Sequence, residues 1–105
     1  MRPILIALVL LLCALPLRAE HADADFRPLP LHEAARLVGE RYHGRLIGAR
    51  LTPPTPHERG LGVELTLEMR LLTPARNLLV IRLDARDGRF LEVAGVGQIE
   101  ALKRR

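Results

Sequence analysis

Val63-Glu64-Leu65-Thr66-Leu67-Glu68-Met69-Arg70-Leu71 decides the fold. Apolar residues at the odd positions alternate with polar ones at the even positions, a period of two that only a β-strand with one dry and one wet face satisfies. Such a strand needs neighbours to pair with and a cover for its dry face. Downstream, Thr73-Pro74-Ala75-Arg76-Asn77 predicts a turn, with proline fixing φ and asparagine taking the left-handed region. Residues 78–83 form a third strand with Leu79, Ile81 and Leu83 on one face, and Asp84-Ala85-Arg86-Asp87-Gly88 is a second turn. Residues 89–94 supply a short last strand, closed by Gly95 and Gly97. Upstream, residues 45–52 form the first strand, with Ile47, Ala49 and Leu51 on one face, and the proline-rich stretch 52–60 is a loop.

The cover lies further upstream. Leu31, Ala34, Ala35, Val38 and Tyr42 recur at spacings of three and four, which predicts an amphipathic helix over 31–43. Glu33 in its first turn and Arg41 in its last suit the helix dipole, and Gly44 ends it. Pro30 at the N-cap has no side-chain oxygen to offer, a loss of about 1 kcal/mol relative to Ser or Asp. The fold class is therefore α+β: one N-terminal helix packed on a three- to four-stranded antiparallel sheet, in the order α-β-β-β-β. The expected core is Ala35, Val38, Ile47, Leu65, Leu67, Ile81 and Leu83, with Glu64, Glu68 and Arg82 facing water. The first and last strands are the expected edges, because 63–71 carries the longest alternation.

The 105 residues have room for one small domain. Residues 1–19 read as a secretory signal: Arg2, an apolar run from Ile4 to Leu12, then Pro16 and small residues. The apolar stretch 3–17 falls short of the roughly 20 residues that span a bilayer. Cleavage is expected after Ala19 or Ala24, which removes Cys13 and with it disulfides, thiol catalysis and a cysteine zinc site. A periplasmic protein with no stable membrane anchor is the expectation. Residues 20–30 are a flexible lead-in, 31–95 the domain, and 96–105 a basic tail that makes a last helical turn or frays.

The formal charge is +4, and without Arg2 and Arg18 the chain keeps 14 basic against 12 acidic residues, too even a balance to imply a nucleic-acid partner. Aromatic residues make up 3% with no Trp, which leaves no stacking platform for single strands or sugars. Lys103-Arg104-Arg105 is short of the four to eight cations of lipid-binding clusters.

Catalytic chemistry finds no constellation. The chain has no Ser, and past the leader no Cys; Thr52, Thr55 and Thr73 lie in loops. His21, His32, His43 and His57 are scattered, and His32 and His43 stand about 16 Å apart along a helix, too far for one metal. Glu64 and Glu68 are about 13 Å apart along their strand, beyond either glycosidase geometry, and are better placed to pair across the sheet with Arg50, Arg70 or Arg82. No cofactor is expected.

Leu31-His32-Glu33-Ala34-Ala35, followed by Tyr42-His43-Gly44-Arg45-Leu46-Ile47, resembles the opening of a PepSY domain, and Val80-Ile81-Arg82-Leu83-Asp84-Ala85-Arg86-Asp87-Gly88-Arg89-Phe90-Leu91 is similar to that family's closing hairpin. His43 stands where the family commonly has proline, and Leu61-Gly62-Val63 where it often has an aromatic residue. The resemblance implies a non-catalytic exported module that modulates a partner protein, such as an envelope peptidase or a membrane sensor kinase. The expected docking surface is the charged sheet face of Arg50, Glu64, Glu68, Arg70 and Arg82, with Thr66, or an open sheet edge that accepts a peptide. The rival reading is a periplasmic protein that binds a small ligand or metal, with His32, His43 and His57 as its support.

Overall fold

The structure is a computed structural model and describes residues 26–104. The expected leader, its two cleavage positions, Cys13 and His21 lie outside the described residues. Helix α1 (Leu31–Arg41) is followed by strand β1 (Arg45–Thr52), a short helix α2 (Pro56–Gly60), strands β2 (Thr66–Leu72), β3 (Leu78–Asp84) and β4 (Phe90–Ala94), and a final turn of helix α3 (Gln98–Ala101). The four strands form one antiparallel sheet in the order β1-β2-β3-β4. The α-β-β-β-β order and the edge positions of β1 and β4 follow the alternation in the sequence.

Opposed residues of an antiparallel pair share a face. Leu51, Leu67 and Leu83 therefore form one row on the inner face, and Ala49, Met69, Ile81 and Val93 the next. Helix α1 buries Ala34 and Val38 against these rows, and Tyr42, Leu71, Leu79, Ala85 and Ala101 complete the core. Pro30 offers no side-chain oxygen and no side chain caps the helix start; the Pro30 carbonyl accepts from the N–H groups of Glu33 and Ala34. Gly88 makes the helix seat possible. Its φ of 79° lies in the left-handed region, and a Cβ there would collide with Leu37 of α1.

The segment before α1 is fastened, because the Leu29 N–H donates to the Ala85 carbonyl at 2.6 Å. The tail is fastened too. α3 buries Ala101, and Leu102 bridges to Tyr42.

Three expectations are corrected. Ile47 is not in the core; it is 53% exposed. The register shifts between Leu46 and Gly48, so Ile47 is the extra residue of a β-bulge and Leu46 takes the inward position opposite Leu71. The second correction is Thr52 to Gly60, which holds α2 where the prolines predict only loop. In the turn after β2, the left-handed residue is Arg76 (φ 67°), while Asn77 donates its N–H to Thr73 Oγ1 at 3.0 Å.

The bulge separates two isoleucines that alternation treats as equals. Ile81→Ala should destabilise the protein by about 2–5 kcal/mol, and Ile47→Ala by well under about 1 kcal/mol. Urea denaturation of the two variants measures both, and equal losses would put Ile47 back in the core.

Candidate functional site

The outer face of the sheet carries Arg50, Glu68, Arg82 and Glu92 in register, one from each strand and alternating in sign. Two of them do not face water as expected. Glu68 is buried and the Arg82 side chain is 12% exposed. The cause is α2, which folds over this end of the sheet and brings in a further carboxylate, Glu58, 3% exposed.

Thr55-Pro56-His57-Glu58 explains how α2 forms. Thr55 is the N-cap, its hydroxyl accepts from the Glu58 N–H at 3.1 Å, and Glu58 Oε1 accepts from the Thr55 N–H at 2.9 Å. This is a capping box, with proline at the first helical position where its missing N–H does no harm. The box also aims the Glu58 carboxylate at the sheet. Arg82 meets it with two parallel bonds, Nε to Oε2 and Nη2 to Oε1, both 2.8 Å. Thr66, fully buried, donates its hydroxyl to Glu58 Oε1 at 3.0 Å. The third arm of Arg82, Nη1, donates to Glu68 Oε2 at 2.7 Å, and Glu68 Oε1 accepts from Arg50 Nε at 3.1 Å. Among the described residues no buried side-chain nitrogen or oxygen lacks a partner.

The five residues expected on the charged face thus separate. Arg50, Glu68 and Arg82 come together; Glu64 lies before β2 and pairs with Arg86 at 2.7 Å on the exposed surface. Arg70 is exposed opposite Gly48 and Val80 and has no ion-pair partner among the described residues. Glu58 lies outside the alternation that marks the sheet face, and its only signal in the sequence is the capping-box pattern at 55–58. His32, His43 and His57 are exposed and apart, and no metal-holding group of His, Cys, Asp or Glu occurs among the described residues.

Two grooves flank α1. One, of about 300 Å³, runs along β1 between Leu29 and Leu31 on one side and Ala49, Leu51 and Leu67 on the other. Leu31 and Leu51 are about half exposed. The second, of about 700 Å³, lies toward β4 and is rimmed by Arg41, Arg89, Lys103 and Arg104. No family model matches the chain, and no curated protein or solved structure is significantly similar to it.

The Arg82 cluster makes stability depend on acid. Its guanidinium, bonded to Glu58 against the cost of burial, holds the Glu58 carboxyl at about 2, below its ordinary 4.5. A carboxylate whose pKa is lowered by folding contributes fully above about pH 4.5, and the contribution is lost as pH falls toward 2. At 1.36 kcal/mol per unit this is worth about 3 kcal/mol. Stability measured between pH 6 and pH 2 should show that loss, and Glu58→Gln should flatten it, an outcome whose absence would detach Glu58 from the acid response. Glu68→Ala, expected from a wet face to be nearly neutral, should instead cost about 1–3 kcal/mol, because Arg82 and Arg50 both lose an acceptor.

Proposed function

We propose that the chain is a non-catalytic exported module that binds a segment of a partner protein along the open edge of β1 and thereby modulates that partner. An envelope peptidase or a membrane sensor kinase is the class of client that the PepSY resemblance implies. One observation supports the choice of surface: β1 is an eight-residue edge strand with an apolar groove beside it. A partner strand laid on that edge gains main-chain hydrogen bonds, and its alternate side chains reach Ala49 and Leu51 on the inner face.

The charged face is the weaker surface for docking. Arg82, Glu68 and Glu58 spend their hydrogen-bonding capacity on one another, and α2 covers them. Arg50, with its side chain 66% exposed at the edge, is the member of that cluster left in reach of a partner. The bulge at Ile47 and the cations Arg45 and Arg50 discourage indiscriminate pairing of the edge, which leaves Ala49–Thr52 as the docking stretch.

Site-specific photocrosslinking tests this reading in cells that produce the full chain. A photoreactive residue at Leu51 should capture one partner, and the same group at Arg70 or Glu64 should not. Leu51→Asp should then reduce the recovery from a reporter at Ala49 about tenfold or more while leaving the fold intact by circular dichroism, as expected for a charge set in an apolar groove. Capture from Arg70 with none from Leu51 would move the site to the charged face.

A further inference from the structure

Lys103-Arg104-Arg105 alone holds too few charges to dwell on an anionic bilayer. The fold changes the count. The Lys103 N–H donates to the Arg41 carbonyl at 2.8 Å, and its ammonium reaches the Gly39 carbonyl, so the tail is laid along the C-terminal half of α1. Arg41 from the helix end, Arg89 from the β3–β4 turn, and Lys103 and Arg104 from the tail then rim one groove of about 700 Å³. Its floor is Leu37, Tyr42 and Phe90.

Among the described residues little neutralises these cations. Glu40, the one described carboxylate lining the groove, is bound to Arg36, and the Arg89 guanidinium meets Asp84 only at 3.8 Å while donating a long bond of 3.4 Å to the neutral Leu61 carbonyl. The guanidinium carbon of Arg41 stands 3.8 Å from the centroid of the Phe90 ring, a stack that positions the charge without cancelling it.

A second observation lies on the segment that delivers the tail. Ile99 is 82% exposed and Leu102, itself a groove residue, 42%, although Ala101 between them is buried. Exposed apolar side chains next in the chain to clustered cations are the composition of a surface that rests at a lipid headgroup boundary: the apolar groups enter the acyl edge and the cations meet the phosphates. An acidic peptide would account for the cations and leave Ile99 without a role.

We propose that this corner of the molecule is a reversible docking site for an anionic phospholipid bilayer, with Arg41, Arg89, Lys103 and Arg104 taking headgroup phosphates and Ile99 and Leu102 entering the interface. It lies on the β4 side of α1, away from the β1 edge, so both surfaces are free at once and either proposal stands without the other.

Vesicle flotation of the full chain tests it, using phosphatidylcholine vesicles and roughly 3:1 phosphatidylcholine to phosphatidylglycerol vesicles at low salt. Binding to the anionic vesicles should be about tenfold stronger or more, and Lys103→Glu with Arg104→Glu should remove that difference. Arg89→Gln and Ile99→Ser should each weaken it severalfold, whereas Arg70→Glu on the sheet face should leave it unchanged; thermal melts confirm that each variant folds. Equal binding to both vesicles would assign the attachment to apolar residues elsewhere, and equal loss in Arg70→Glu to net charge alone. Either result overturns the proposal. So would inorganic phosphate or a polyglutamate peptide saturating the groove, seen by titration, without any preference for anionic vesicles.

Discussion

A guanidinium set into the middle of a sheet is the constraint on which the outer half of this structure depends. Arg82 sits on β3 with strands on either side, where an unpaired charge would cost several kcal/mol. It is tolerable because three of its nitrogens find carboxylate oxygens at 2.7–2.8 Å, two on Glu58 and one on Glu68. Glu68 comes with the neighbouring strand. Glu58 has to be brought, and α2 brings it. The connection between β1 and β2 is therefore more than a linker: its capping box fixes one carboxylate, and that carboxylate ties the connection to the sheet.

This cluster is weak evidence for stability as such, since an apolar set of the same volume often does as well. Its distinctive effect is on placement. Two parallel bonds between Arg82 and Glu58 admit one orientation of α2, and the Thr66 hydroxyl bonded to the same carboxylate oxygen narrows it further. The result is a sheet covered at one end on its outer face by α2 and on its inner face by α1. The charges that would otherwise have faced solvent are satisfied within the chain, and the surfaces left open are the sheet edges and the grooves beside α1.

The legible part of the fold was the part governed by local periodicity. The alternation from Val63 to Leu71 marks β2, which begins only at Thr66, and the three-and-four spacing from Leu31 to Tyr42 marks the covering helix, which ends at Arg41; the wet face that the alternation implies is lost at Thr66 and Glu68, both buried at the α2 end of the sheet. Ile47 was misread because a bulge leaves no mark in the pattern; Leu46-Ile47 is an apolar pair, and which member turns inward is decided by pairing with Leu71 on another strand. Glu58 was legible and passed over, since three prolines outweighed a Thr-Pro-x-Glu signature that starts helices. The cationic groove was not legible at all. Arg41, Arg89 and Lys103 are separated by 48 and 14 positions in the chain, and only the packing of the tail on α1 brings them to one rim.

Both grooves have the same geometric origin. Four strands at about 4.8 Å spacing span about 14 Å between the outer two, and a helix with its side chains is about 10–12 Å across. One helix can cover the two central strands fully and the flanking ones only in part. Met69, Leu71, Leu79, Ile81 and Leu83 on β2 and β3 are accordingly buried, while Ala49 and Leu51, on the same face of β1, stay exposed. Gly88 lets Leu37 approach the β3–β4 turn closely, which holds the helix over the centre. On the β1 side, among the described residues, only Phe26 to Pro30 adds to the cover of the inner face, which leaves an apolar groove beside an open edge. On the β4 side the tail returns with its charges, and the corresponding groove is cationic. A single short helix over four strands thus yields two binding surfaces of different chemistry, one suited to an extended peptide and one to an anionic surface.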